Sequence, residues 1–216
     1  MSIEEYINKG NPWEWFEYAE ELHFCSESLW ENDFKTEKLT LTLGEKPEDV
    51  RESMITRTYF MSISLAIENL IKGILIANRP EHIENGTLKK ELKTHNLKNL
   101  AEKVLDLSFN EKEINLLEIG TNAILSWGRY PIPLNFRKPN NEVRLTKDLR
   151  DTYLGLNNKL SEHLYEKIKK GWNGPNDVKI SGRFSAKFDE LLKEMLDMPL
   201  DKFLDTQKMI ILKPYK

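Results

Sequence analysis

Four histidines, a set of scattered arginines and one cysteine are the residues of this 216-residue chain with the most chemistry to offer. His23, His82, His95 and His163 stand far apart, and no two have the spacing or the neighbouring carboxylates of a local metal site, so neither a metal ion nor a cofactor is expected. A glycine-rich phosphate loop, a nucleophile elbow and a Cys-x-x-Cys pair are all missing from the sequence, which removes the enzyme classes most readily read from sequence. What remains is imidazole as a proton carrier and guanidinium as a phosphate ligand. Arg129 follows Gly128 and opens a segment with Pro131, Pro133 and Pro139 that also holds Arg137, Lys138 and, just beyond, Arg144. Paired N–H donors from such a cluster can grip a phosphate.

Three fragments stand in order along the chain. Glu68 and Lys72 lie four apart on a strongly apolar helix, Thr94-His95-Asn96-Leu97 with Leu100 opens the next one, and Arg129-Tyr130-Pro131 follows a later one. Together they resemble the HEPN family over roughly Trp13 to Pro133. In that family four or five helices carry an acidic residue and a lysine early, a histidine-leucine helix start, and often an Arg-Tyr-Pro closing segment. The resemblance implies an all-α antiparallel helical bundle of HEPN type. It also implies pairing into a homodimer, with Trp13, Trp15 and Phe16 as candidate contacts, and a prokaryotic defence or toxin–antitoxin setting with a possible cognate partner protein.

The family's activity is either metal-independent RNA cleavage or noncatalytic binding of a nucleotide or RNA. Active members carry an arginine followed after four to six residues by a histidine, which could stabilise the phosphate and take the ribose 2′-hydroxyl proton. This chain departs at that point. Its nearest approach, Arg79-Pro80-Glu81-His82, is too closely spaced, and Pro80 breaks the helix that would hold both side chains on one face. The leading expectation is therefore a nuclease-degenerate protein that binds a nucleotide or RNA phosphate through Arg129 and Tyr130, with His95, Glu68, Lys72, Arg137 and Lys138 contributing. The alternatives are an endoribonuclease built from His95 or His82 with Arg129 or Arg79, and a pure protein-interaction module. Plainer readings stand beside each residue. Glu68 and Lys72 have the order of a simple intrahelical ion pair, His95 suits a helix start that bonds locally, Arg129 suits a solvated loop, and Trp13, Trp15 and Trp30 suit a core.

The elements that must position these residues are helices. Asn11 and Pro12 start one that ends near Asp33, with Trp15, Ala19, Leu22, Ser26 and Leu29 on its inner stripe. Alternation of Leu39, Leu41 and Leu43 with threonines suits a short strand, with the run from Met209 to Leu212 as its candidate partner. Pro47 opens the longest helix, expected to reach Asn78 at the centre of the core, with Arg79 and Pro80 ending it. Thr94 is the expected cap of a third helix with core residues Leu97, Leu100, Ala101, Val104 and Leu105, and Asn110 with Glu113 has capping-box spacing for a fourth that closes at Gly128. A fifth helix carries Leu149, Tyr153, Leu156, Leu160, Leu164 and Ile168 up to a turn at Gly171 to Pro175. A sixth spans Ser185 to Leu196, and a short piece follows Pro199. The sum is one domain over 1–216, with a HEPN-like core at 12–133, a loop and helical extension at 134–216, and minor β structure.

Charged residues make up 31% of the chain with both signs interspersed and a net charge of −3, so any nucleic-acid contact must use a local basic patch. Cys25 has no partner for an intramolecular disulfide, the amino terminus lacks a basic segment followed by an apolar run, and the apolar stretch from Met54 to Asn78 is interrupted by Arg57, Glu68 and Lys72. These features point to a cytoplasmic protein without a membrane span.

Overall fold

The computed structural model describes residues 1–33, 55–130, 132 and 143–182. The chain divides into two compact units, Met1–Gly182 and Arg183–Lys216, and all described residues belong to the first. The expected strand at 39–43, its partner at 209–212, the helix opening at Pro47, most of the proline-rich segment with Arg137 and Lys138, and the helices after 183 lie outside the described residues.

The described part is mostly helical. Its α-helices are α1 (Ile3–Lys9), α2 (Pro12–Asp33), α3 (Thr56–Asn78), α4 (Leu97–Ala101), α5 (Glu111–Asn122) and α6 (Lys147–Ile168). Helix α1, not anticipated from the sequence, is closed by a reciprocal capping box: Ser2 Oγ accepts from Glu5 N–H, and the Glu5 carboxylate accepts from Ser2 N–H. In α2 the Asn11 side chain accepts from Trp13 N–H at 2.9 Å, which satisfies one of the free amides of the first turn.

Helix α3 is the axis of the fold and packs against α2, α4, α5 and α6. Every residue from Ala66 to Ile76 is buried, so this helix has no solvent face over three turns. It is long and apolar enough to cross a membrane by composition alone, yet 78% of that stretch is buried inside the protein, as in a core helix. It begins at Thr56 and ends at Asn78, where Arg79 leaves helical geometry and Pro80–Ile83 forms a single 3-10 turn.

Three expectations about the next segment change. Asn96 caps α4 by accepting from Asn99 N–H, while the Thr94 hydroxyl accepts from Asn96 N–H one step earlier. Helix α4 has only five residues, so Leu105 lies beyond its end and is 84% exposed, although Val104 is buried as expected. Helix α5 does carry the Asn110–Glu113 capping box and continues into a wide π turn, Ala123–Trp127, in which Gly128 N–H donates to Ala123 C=O. That turn places Trp127 edge-on against Phe60 of α3.

Helix α6 starts at the cap Thr146 and lays Tyr153, Leu156, Leu160, Leu164 and Ile168 into the core. Beyond it the chain forms a hairpin where only a turn was expected: β1 (Gly171–Asn173) pairs antiparallel with β2 (Lys179–Ser181). Asn176 and Asp177 adopt the positive φ values, 57° and 58°, that their short polar side chains tolerate in such a turn. Trp13 and Phe16 are buried against Tyr165 of α6 and against each other. Both belong to this unit's own core, while Trp15, the third candidate dimer contact, is partly exposed.

Candidate functional site

Two of the three sequence fragments converge. Glu68 and Lys72 are one helical turn apart on α3, and Lys72 Nζ donates to Glu68 Oε1 at 2.7 Å, with both side chains 7% exposed. The other carboxylate oxygen, Oε2, accepts from His95 Nδ1 at 2.9 Å, across 27 residues of chain. Thus Glu68 bridges a buried ammonium and a half-exposed imidazole, and His95 does not merely bond locally at its helix start. The Trp15 ring lies 6.0 Å from Lys72 Nζ, so an aromatic face closes the buried end of the cluster.

The sequence builds this placement by local means. The Asn96 cap and a hydrogen bond from Leu97 N–H to the Thr121 hydroxyl at 3.0 Å fix the start of α4 against α5. Gly120 completes the fit, since a Cβ there would come within 2.8 Å of both Leu97 Cδ1 and Ser64 Oγ. His95, two residues before Leu97, is thereby held over α3 at the height of Glu68. With Nδ1 engaged by the carboxylate and the side chain 43% exposed, Nε2 is the nitrogen left for an acid–base or hydrogen-bonding role.

Arg129 does not join this cluster. It follows the π turn, its side chain is exposed, and it makes no ion pair with the described residues. The adjoining Gly128 packs on Met61, seven residues before Glu68, which at the helical rise is about 10 Å along α3. Tyr130 beside it is 41% exposed.

Arg79 and His82 meet elsewhere, in a cleft at the carboxyl end of α3. His82 is buried, and its Nδ1 lies 3.1 Å from a Glu91 carboxylate oxygen without the alignment of a hydrogen bond. Burial pushes its pKa below the usual imidazole value, more than the neighbouring Glu91 and Glu81 raise it. Arg79 and Arg129 therefore serve different parts of the surface, and no described arginine reaches His95.

Residues overlooked in the sequence surround these sites. Lys89, Lys90, Lys93 and Lys98 flank His95 with Glu91 as the single intervening acid, a local basic run that a residue-by-residue charge count would have found. A second polar group joins α2 to α6: Ser161 donates to Glu20, Tyr153 and His23 share a hydrogen bond of 2.7 Å, and Arg150 pairs with Glu27 while lying 5.0 Å from the Trp30 ring. Burial lowers the His23 pKa and raises that of Glu20. Its partners are more than a hundred residues apart, and no sequence signal links them. Among the described residues no group of three His, Cys, Asp or Glu side chains is placed to hold a metal ion. No family model, no characterised protein and no solved structure matches the chain.

Proposed function

We propose that this is a HEPN-like helical protein that binds an RNA or nucleotide phosphate on the surface where His95 emerges, as a homodimer in a prokaryotic defence or toxin–antitoxin setting. The observation that carries the reading is the Glu68 bridge: Glu68 orients His95 through Nδ1 while Lys72 neutralises its other oxygen. An imidazole fixed in this way loses little further freedom on meeting a ligand, and the lysines at 89, 90 and 93 supply the sequence-independent attraction that phosphate binding requires, whereas Lys98 is paired with Glu118 at 2.7 Å. Arg129, exposed and without an ion-pair partner among the described residues, is a second phosphate contact about two helical turns away.

The same geometry favours a second reading, metal-independent cleavage, in which His95 Nε2 takes the ribose 2′-hydroxyl proton while Glu68 steadies the imidazolium that forms. Such a site also needs a cation on the phosphate, and in one protomer Lys72 is buried and no described arginine is at hand. A second protomer would have to supply it.

One experiment separates the readings. Labelled single-stranded RNA is titrated with protein in the presence of a chelator, and retention and fragment length are both followed. Binding without cleavage is expected, weakened about tenfold or more in His95→Ala and in Arg129→Ala. Chelator-resistant fragments that vanish in His95→Ala would establish the cleavage reading instead. Absence of both binding and cleavage would refute both and favour a protein-interaction module.

A further inference from the structure

The half-open cleft at the carboxyl end of α3 has a volume of about 630 Å³, within the range of small-molecule sites. Its walls come from the last turn of α3, the 3-10 turn after it, Glu91, and the loop that follows α4. Two observations set it apart from ordinary surface. The His82 side chain is only 4% exposed, lines the cleft, and holds Nδ1 3.1 Å from a Glu91 carboxylate oxygen without completing a hydrogen bond to it. Charges of both signs also stand around it: Arg79, Lys103 and Glu102 line the cleft, and none forms an ion pair with another of the described residues. Asp106, by contrast, is already engaged by His163 at 3.0 Å and Lys167 at 2.6 Å. Leu105 reaches the rim with 84% of its surface exposed, an apolar side chain that the described residues leave uncovered.

A simple anion entering here would meet Glu91 and Glu102, and a simple cation would meet Arg79 and Lys103. Only a ligand bearing both charges answers both pairs. We propose that the cleft is a binding site for a small zwitterion with an apolar body, between a free α-amino acid and a dipeptide in size. Its carboxylate lies on Arg79 and Lys103, its ammonium on Glu102 and Glu91, and its apolar portion against Leu105, while His82 Nδ1 bonds one of the polar groups. This site is independent of the phosphate surface at His95, and either assignment stands if the other fails.

Calorimetric titration of the full chain with L-leucine and with leucyl-leucine tests it, using N-acetyl-leucine, leucinamide and inorganic phosphate as probes that carry charge of one sign only. At least one zwitterion is expected to bind, with the single-sign probes about tenfold weaker or worse. Arg79→Gln and Glu102→Gln change exposed side chains outside the core, so each is expected to keep the wild-type melting temperature while weakening the zwitterion about tenfold. Silence from both zwitterions up to about 10 mM would overturn the proposal. So would N-acetyl-leucine or phosphate binding as tightly as leucine.

Discussion

Replacing Glu68 by methionine keeps the length of the side chain and deletes both oxygens, which leaves Lys72 as a buried ammonium with no counter-charge. Both side chains are 7% exposed and their contact is 2.7 Å, so this is a buried pair rather than a surface one. Breaking such a pair from one side costs about 3–5 kcal/mol, because the remaining charge stays desolvated. His95 is half-exposed and returns its freed N–H to water at little cost. The expected loss is therefore about 3–5 kcal/mol, or roughly 6–20 °C in melting temperature for a unit of this size. The double variant Glu68→Met/Lys72→Met removes both charges and should regain most of the loss, since an apolar pair of similar volume is often as stable as the ions it replaces. Urea unfolding followed by tryptophan fluorescence provides the assay, because all five tryptophans lie within the described unit. A single variant within about 1 kcal/mol of wild type, or a double variant as unstable as the single, would refute the account of Glu68 as the counter-charge of a buried lysine.

Three further outcomes are expected. Gly128→Ala should cost about 1–3 kcal/mol by overpacking, since a Cβ there would stand 2.6 Å from Ala123 O and 2.7 Å from Met61 Sδ; unfolding titration measures it, and an unchanged midpoint would contradict the close approach. Asn110→Ala removes the capping box of α5 and should lose about 1 kcal/mol, with Asn110→Ser restoring most of it in the same assay. Burial holds the pKa values of His23 and His82 below the ordinary 6.5, so their contribution to stability is present above that value and is lost as the pH falls below it towards the folded values. Melting temperature should drop between about pH 7.5 and 5.5, and the drop should shrink in His23→Gln; a variant as pH-sensitive as wild type would remove His23 from the explanation.

Much of the helical frame was legible because its signals are local. The Asn11-Pro12 start, the Asn110–Glu113 capping box, the α6 stripe and the Pro80 stop each lie within one or two turns of chain, and each element formed where its residues indicated. Leu105 was misplaced because periodicity continued on paper after Ala101, where the chain had already left the helix. The Glu68–Lys72 pair was readable from spacing, whereas its bond to His95 depends on how α4 sits on α5, which is set by Gly120 and Thr121 rather than by anything near Glu68. The hydrogen bonds between α2 and α6 were invisible for the same reason, and the burial of Trp13 and Phe16 depended on Tyr165, far along the chain.

The wide turn at Ala123–Trp127 carries one residue more than a regular helix would need to reach the same point, as the bond from Gly128 N–H back to Ala123 C=O shows. A helix turns about 100° per residue, so this single extra residue resets the angular phase of everything after it. Trp127 points into the core and Leu125 outward, 48% exposed, because of that offset. The segment is thus a point where length and orientation are exchanged: a one-residue deletion there would leave the ends of the helix nearly where they are but swing the indole away from Phe60. The aim of Arg129 at the surface is inherited from the same extra residue, so the geometry of the closing Arg-Tyr segment is written upstream of it.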